Sequence, residues 1–231
     1  MESKKINGCR VYAPNNQDEL FSFTRNKNVA LIAVNAEKLL NVDTKLRSFI
    51  NSNVAYPDGI GAVYGLRKKG IKHAYKIAGC ELWLNLIYEY RDENIYLIGG
   101  TDRTIKATVE KLLDLHPSCK IVGYRNGFFS NKKEYDALID DLEVCEPSLV
   151  FVAMGSPLQE AVIERLKEKY PAIYMGLGGS FDVFVGSIKR APTFLVKSNL
   201  EWLYRLIQEP WRIRRQFRLI LFYVYVWIGR F

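Results

Sequence analysis

The sequence predicts an α/β fold, in which a Rossmann-like, mostly parallel sheet is covered by helices. Three observations lead to this prediction. Apolar runs of strand length recur along the chain, as in Val29–Val34 and Leu149–Ala153. Segments with apolar residues at helical spacing separate these runs. Glycine-rich turns follow several of the runs, which is the arrangement that places ligands at the carboxyl edge of a parallel sheet.

The first elements follow directly from the apolar pattern. A short strand is predicted over residues 6–11 and a helix over residues 17–25. The run Val29–Val34 contains no polar residue, which is typical of a strand covered on both faces. Apolar residues then recur at helical spacing over residues 39–50, so Asn35 is predicted to cap a helix that starts just after it.

A Pro-Asp-Gly turn ends the next predicted strand, Val54–Pro57. An aspartate in such a turn often caps the following helix, which is predicted here to run to about Lys69, so capping is one role open to Asp58. The pattern of strand, turn and helix then repeats. Helices are predicted over residues 79–90, 103–115, 133–142 and 158–169, and further strands over residues 95–98, 120–123, 149–153 and 172–175.

The glycine-rich turns are the first candidates for a binding site. Glycine lets the backbone come close to a ligand and leaves its N–H groups exposed, which suits a phosphate. Lys189 and Arg190 follow the last turn and add positive charge for a diphosphate. A plain strand end with a tight turn explains the same glycines, so both interpretations stay open. The residues concerned are Gly99, Gly100 and Thr101, then Gly155, and then Gly176, Gly178 and Gly179.

Composition and missing motifs argue against several kinds of site. The chain has four cysteines without a CxxC pair and only two histidines, so a zinc site, a disulfide framework and a histidine-based triad are not indicated. It also lacks a P-loop, an HExxH motif, a GxSxG elbow and the Asp-x-Asp pair that holds a divalent ion on a nucleotide sugar. We therefore expect a reaction without metal or cofactor. The cysteine usage and the lack of an apolar N-terminal signal segment predict a cytoplasmic protein.

The C-terminal segment, residues 195–231, has a different character. It carries seven basic and two acidic residues, a difference of +5 out of the chain's net charge of +8. Apolar residues recur at helical spacing on both sides of Pro210, which predicts two helices. Residues 219–228 are uncharged but too few to span a bilayer. The pattern favours an interfacial helix on an anionic membrane, with packing on the core or on another subunit, and nucleic-acid binding, as weaker alternatives.

Six motifs stand in the order and spacing of a known family. They are Pro57-Asp-Gly-Ile-Gly61, Gly99-Gly-Thr101, Gly155-Ser-Pro-Leu-Gln-Glu160, Gly176-Leu-Gly-Gly-Ser-Phe-Asp182, Arg190-Ala-Pro192, and Leu200-Glu-Trp-Leu-Tyr-Arg205 with Glu209-Pro-Trp-Arg212. Together they resemble the WecG/TagA/CpsF glycosyltransferase family over nearly the whole chain. The resemblance implies a GT-E type fold and a bacterial inverting enzyme. Such enzymes move N-acetylmannosamine or its uronic acid from UDP to undecaprenyl-diphosphate-linked N-acetylglucosamine.

The resemblance implies catalytic roles for two residues. Asp58 is implied to be the general base that takes the proton of the acceptor hydroxyl, against the turn and capping role given above. Lys76 stands where the family usually has arginine, and it would offset charge on the leaving diphosphate or hold the acceptor's phosphates. Lysine lacks the bidentate fork of arginine, and an exposed structural lysine is the alternative. Glu81 and Leu158 likewise replace a usual aspartate and a usual basic residue.

The resemblance also implies substrate contacts along the carboxyl edge. Gln159 would hydrogen-bond the donor sugar or phosphate, against the ordinary polarity of a helix's first turn. Asp182 would bind the nucleotide or brace the glycine loop, and Arg190 would meet a phosphate or pair with an acidic neighbour. Arginines of the tail would reach the lipid diphosphate once the tail closes over the pocket. The implied substrate-binding residues are Asn35, Gly59, Gly99, Gly100, Thr101, Gly155, Gln159, Gly176, Gly178, Gly179, Phe181, Asp182, Arg190, Arg212, Arg215 and Arg218.

The resulting prediction is a metal-independent hexosyltransferase of cell-surface polysaccharide or teichoic acid synthesis. Residues 1–194 are predicted to form an α/β catalytic domain and residues 195–231 a helical appendage that holds the protein peripherally on the inner face of the cell membrane. Its expected partners are a UDP-sugar, a polyprenyl-diphosphate-linked sugar and the membrane surface, without nucleic acid; self-association stays open. The alternatives are transfer of another hexose or uronic acid, a noncatalytic nucleotide-binding membrane adaptor and, with less support, a nucleotide-dependent oxidoreductase.

Overall fold

A computed structural model describes residues 1–129, 131–189, 191–192, 195, 201–208 and 213–231. In the last two ranges the backbone is described throughout, whereas the side chains of residues 201, 202, 205, 208 and 213–218 are not. The predictions for Arg190 and Arg212 therefore lie outside the described residues, as do those for the side chains of Arg215 and Arg218.

The centre of the molecule is a sheet of six parallel strands, preceded by a separate antiparallel hairpin. The strands are β1 (Glu2–Ile6), β2 (Cys9–Ala13), β3 (Val29–Val34), β4 (Val54–Pro57), β5 (Asn94–Gly99), β6 (Lys120–Arg125), β7 (Leu149–Ala153) and β8 (Ile173–Gly176). Strands β1 and β2 form the hairpin. The sheet has the order β4-β3-β8-β7-β5-β6, and each neighbouring pair is parallel. The predicted α/β fold with a parallel sheet is confirmed.

Helices connect the strands in positions close to the predicted ones. Several begin at a residue whose side chain accepts a hydrogen bond from the first turn, as Asn16, Asn35 and Thr101 do. The helices are α1 (Gln17–Thr24), α2 (Ala36–Leu40), α3 (Thr44–Asn51), α4 (Ile60–Lys68), α5 (Gly79–Glu89), α6 (Asp102–Leu115), α7 (Lys132–Cys145), α8 (Leu158–Lys167), α9 (Ser180–Phe184), α10 (Glu201–Gln208) and α11 (Ile213–Trp227).

Two local predictions are wrong because turn-forming and capping residues outweigh the apolar pattern. The strand predicted over residues 6–11 is a hairpin, in which Asn7 and Gly8 form the turn with φ angles of 47° and 75°. Asn-Gly is a preferred pair for such a turn, since both residues adopt left-handed conformations at low cost. The single helix predicted to start just after Asn35 and to include residues 39–50 is divided between α2 and α3, because the side chain of Asp43 caps the start of α3.

Helices cover both faces of the sheet, and the side chains of each strand alternate between the two faces. On β5, Ile95 and Leu97 pack beneath α1, α5, α6 and α9, on what is hereafter face A. Tyr96 and Ile98 pack on the opposite side, face B, beneath α2, α3, α4, α7, α8 and α11. Since both faces are buried, the inner strands have no polar face, which is why β3 and β7 form continuous apolar runs, whereas the edge strand β6 is partly exposed and contains charged residues.

The strands β5 and β7 lie side by side, but the chain leaves them in opposite directions. After β5 it enters α6 on face A, and after β7 it enters α8 on face B. Neighbouring strands with diverging connections leave a crevice at their carboxyl ends, and in parallel sheets such a crevice is the usual position of a ligand. The residues paired across it are Gly99 and Ala153.

The C-terminal helix α11 packs against α2 and α4. Phe222 and Val226 on its inner side are buried in the face-B core. The chain is helical in α10 and again in α11, and the break predicted at Pro210 lies outside the described residues. Among the helices in the described ranges, none combines the length and the apolar character needed to cross a bilayer. The apolar residues exposed on the outer side of α11 and just after its end are Ile220, Leu221, Val224, Trp227 and Ile228.

Candidate functional site

The loops that carry the predicted site residues all leave the sheet at its carboxyl edge. Because the six strands are parallel, their C-terminal ends lie side by side. Asn35 follows β3, Asp58 follows β4, and the glycine-rich turns follow β5, β7 and β8. The segment before α5 joins the same edge, since the N–H of Ile77 donates to the carbonyl of Pro57 at 2.9 Å. Half-buried Lys76 therefore lies beside the end of β4.

Asp58 connects three elements of this edge. Its N–H donates to the carbonyl of Val34 at 2.9 Å, which fixes its backbone beside the end of β3. Its Oδ1 accepts a hydrogen bond from the N–H of Gly79 at 3.2 Å. Gly79 is the first residue of α5, so the carboxylate lies at the positive end of an 11-residue helix.

The role first expected of Asp58, capping the helix that follows it, is not the one that it takes. Helix α4 begins after Gly59, and no side chain caps its start. Gly59 instead lies against the preceding loop, because a β-carbon added to it would be 3.4 Å from Cβ of Asn35. The turn therefore places Asp58 and Asn35 on neighbouring loops and directs the carboxylate to α5.

A buried tyrosine lies close to Asp58, and sequence reasoning misses it. Tyr56 precedes Asp58 by two residues, and side chains two residues apart in an extended chain point to the same side, so this spacing is the one signal available in the sequence. Tyr56 is fully buried on face A, and its hydroxyl has no hydrogen-bond partner in the described part of the chain. Burial raises its pKa well above the ordinary value, and the neighbouring Asp58 and Cys80 raise it further. The phenol therefore stays protonated and can donate a hydrogen bond to a nearby acceptor.

Asn35 caps α2 as predicted. Its Oδ1 accepts a hydrogen bond from the N–H of Lys38 at 2.9 Å. The residue is exposed at the carboxyl edge, and the cap uses only the side-chain oxygen. Capping is thus compatible with a contact from the amide nitrogen to a ligand, which stays a prediction.

A buried polar network holds the glycine turn after β8. Gln159 accepts a hydrogen bond from the N–H of Gly178 at 2.7 Å through Oε1. The adjacent Glu160 forms an ion pair with Lys38 of α2 at 2.7 Å, and both side chains are largely buried. The network therefore joins α2, α8 and the glycine turn that follows β8. Gln159 positions the turn, whereas its contact with a donor substrate stays a prediction.

The predicted glycines have two different environments. A β-carbon on Gly99 would lie 2.2 Å from the carbonyl oxygen of Ala153, and one on Gly176 would lie 2.5 Å from Nε2 of Gln159. Packing against the neighbouring strand or side chain therefore accounts for these two glycines. A β-carbon on any of three others would meet no described atom within 4 Å, so their backbone borders open space. These three are Gly155, Gly178 and Gly179.

Thr104 links the turn after β5 to the turn after β8. Its N–H donates to Oγ1 of Thr101 at 3.1 Å, and its own Oγ1 donates to Oδ1 of Asp182 at 3.2 Å. A β-carbon on Gly100 would lie 2.9 Å from the Thr104 side chain. Asp182 thus braces the glycine turn against α6, while the buried ring of Phe181 anchors the same segment in the face-A core.

Comparison with known protein families gives one match that spans both the sheet and the C-terminal helices. The model of the family described as Glycosyl transferase WecG/TagA/CpsF matches residues 9–231, which is nearly the whole chain. The match confirms the resemblance that the six sequence motifs indicate.

Proposed function

We propose a donor, an acceptor and a mechanism for this chain, which belongs to the WecG/TagA/CpsF family of glycosyltransferases of cell-surface polysaccharide synthesis. It transfers a sugar, with N-acetylmannosamine as the first candidate, from UDP to undecaprenyl-diphosphate-linked N-acetylglucosamine. The configuration at the anomeric carbon is inverted, and neither a metal nor a cofactor takes part. The product enters the synthesis of a cell-surface polysaccharide or teichoic acid.

The position of Asp58 is the observation that supports this proposal most. Its carboxylate lies at the carboxyl edge, held by the N–H of Gly79 beside the exposed Asn35 loop. An inverting transfer needs one base on the acceptor hydroxyl, and one carboxylate can supply it. Asp58 takes the hydroxyl proton while that oxygen bonds to the anomeric carbon of the donor. The bond from this carbon to the UDP oxygen breaks, so UDP leaves with the electron pair.

The open glycines supply the proposed cradle for the diphosphate of the donor. Gly179 lies beside empty space, which leaves room for a diphosphate at its backbone, and the hydrogen bond from the N–H of Gly178 to Oε1 of Gln159 holds the turn in shape. Lys76, at the end of β4, offsets negative charge on the leaving diphosphate. In this proposal Arg190 adds a second positive charge for the diphosphate.

The proposal extends to the division of the chain into a catalytic domain, residues 1–194, and a membrane-associating appendage, residues 195–231. Helix α11 supports it because its two sides differ: Phe222 is fully buried, whereas Trp227 is 71% exposed. An exposed apolar side next to basic residues suits an anionic lipid surface. Arg212, Arg215 and Arg218 would then meet lipid phosphates and the diphosphate of the acceptor at the inner face of the cell membrane.

Vesicle binding tests membrane attachment without disturbing the core. The double variant Ile220→Glu/Trp227→Glu should lose co-sedimentation with phosphatidylglycerol vesicles but keep the wild-type melting temperature, since both side chains are exposed. Val144→Glu is a matched control, because Val144 is 82% exposed on α7, away from α11. Equal co-sedimentation of the double variant, the control and the wild type would count against membrane attachment through α11.

A panel of UDP-sugars tests the transfer itself. UDP release is measured with and without a short-chain prenyl-diphosphate-linked N-acetylglucosamine, and release from UDP-N-acetylmannosamine is expected only with the lipid. Release from a different UDP-hexose or uronic acid would change the assigned sugar. UDP binding without release from any donor would favour the noncatalytic adaptor. The rate should persist in EDTA, and a strict need for magnesium or manganese would contradict metal independence.

A further inference from the structure

Tyr56 is a buried hydrogen-bond donor that no described residue satisfies. An unpaired hydroxyl in a protein interior lowers the stability of the fold, so phenylalanine would suit this position better if packing were its purpose. Tyr174 shows the usual arrangement two strands away, since its hydroxyl donates to the carbonyl of Tyr170 at 2.8 Å. The hydroxyl of Tyr56 therefore requires an explanation other than packing.

The hydroxyl lies next to the carboxylate assigned as the base. A β-carbon on Gly79 would be 2.9 Å from the hydroxyl oxygen of Tyr56 and 3.8 Å from Oδ2 of Asp58. Both oxygen atoms therefore lie on the side of Gly79 where other residues carry a side chain. Oδ1 of the carboxylate accepts from the N–H of Gly79. Oδ2 is thus the oxygen on the side of the phenol, and the glycine at position 79 leaves the room that the phenol fills.

We propose that Tyr56 is a positioning residue for Asp58, whose Oδ2 accepts the phenol's hydrogen bond in the substrate-loaded site while Oδ1 stays on the N–H of Gly79. Two donors on the two oxygens fix the plane of the carboxylate, so the remaining lone pairs point to the acceptor hydroxyl. Tyr56 itself is fully buried and acts only through Asp58. This inference rests on the proposed role of Asp58 as the base.

The variant Tyr56→Phe tests the inference because it removes only the oxygen atom. With UDP-N-acetylmannosamine and the prenyl-diphosphate acceptor, kcat should fall by about tenfold to a hundredfold, the effect of one lost hydrogen bond to a charged group. The KM for the sugar nucleotide should stay unchanged, since the donor cradle is intact. The melting temperature should stay the same or rise, because an unpaired buried hydroxyl has been removed.

Tyr174→Phe is the matched control, because it removes the same atom from a hydroxyl that already has a partner. It should lower the melting temperature and leave kcat unchanged. The inference is overturned if Tyr56→Phe keeps the wild-type kcat, or if it lowers the melting temperature and its lost activity matches its lost folded fraction. Lack of UDP release by the wild type would overturn the proposed function and this inference together. An inactive Asp58→Asn beside a fully active Tyr56→Phe would overturn the inference alone.

Discussion

The turn after β5 and the turn after β8 resemble each other in sequence but differ in what surrounds their glycines. Gly99 has a φ of 136° and lies against β7, where a β-carbon would collide with the carbonyl oxygen of Ala153 at 2.2 Å. Gly179 has an ordinary φ of −96°, and a β-carbon there would meet nothing within 4 Å in the described structure. The comparison teaches that a glycine turn at the carboxyl edge indicates a ligand only where the space beside it is open.

The largest effect is expected from Gly99→Ala, which tests the turn after β5, where the glycine has no free space beside it. The added methyl group meets a backbone oxygen that cannot move without distorting β7, and the backbone angle is one that alanine adopts only under strain. The free energy of unfolding should fall by about 4 kcal/mol or more, as measured by urea denaturation. A variant as stable as the wild type would break the distinction between the two turns.

A smaller loss of stability is expected from Glu160→Gln, which tests the buried ion pair next to Gln159, the residue that holds the open turn. The change leaves the largely buried Lys38 without its ion-pair partner and should lower the free energy of unfolding by about 3 kcal/mol. Lys45→Gln is the control, since the pair of Lys45 and Glu164 is 3.4 Å apart and Lys45 is 75% exposed, and its loss should cost less than about 1 kcal/mol. Equal losses in the two variants would show that the buried pair stabilises the fold no more than the exposed pair does.

The smallest effect on stability is expected from Gly179→Ala, which tests the turn after β8, where the space beside the glycine is open. The free energy of unfolding should change by no more than about 0.5 kcal/mol, because the new methyl group enters empty space. The same methyl group would cover the backbone that faces the diphosphate, so the affinity for UDP should fall by about tenfold in calorimetry. Unchanged UDP binding would remove this turn from the proposed donor site.

Much of the sheet could be predicted from the sequence because inner strands such as Val29–Val34 and Leu149–Ala153 are continuous apolar runs between helical segments. The cap at Asn35 could be predicted as well, since it depends only on residues in the next turn. The pair of Lys38 and Glu160 could not, because its members are 122 residues apart and meet only through the strand order.

The surroundings of Asp58 show the same limit more clearly. A Pro-Asp-Gly turn predicts a cap on the helix that follows it, and nothing in the local sequence shows that the carboxylate lies instead at the start of α5. The hydroxyl of Tyr56 lies close to Gly79, which is the first residue of α5 and therefore belongs to another element of the chain. Local patterns thus predict elements and caps, whereas the contacts that define the site depend on how distant loops meet.

The most direct test of the account compares lipid-dependent UDP release by the wild type, Asp58→Asn and Asp43→Asn. Asp43 caps α3, and asparagine caps a helix as well as aspartate does, so Asp43→Asn controls for the same atomic change. The account predicts that Asp58→Asn lowers kcat by about a hundredfold to ten-thousandfold while UDP binding persists, and that Asp43→Asn behaves as the wild type. Near-normal turnover by Asp58→Asn would contradict the role of its carboxylate as the base.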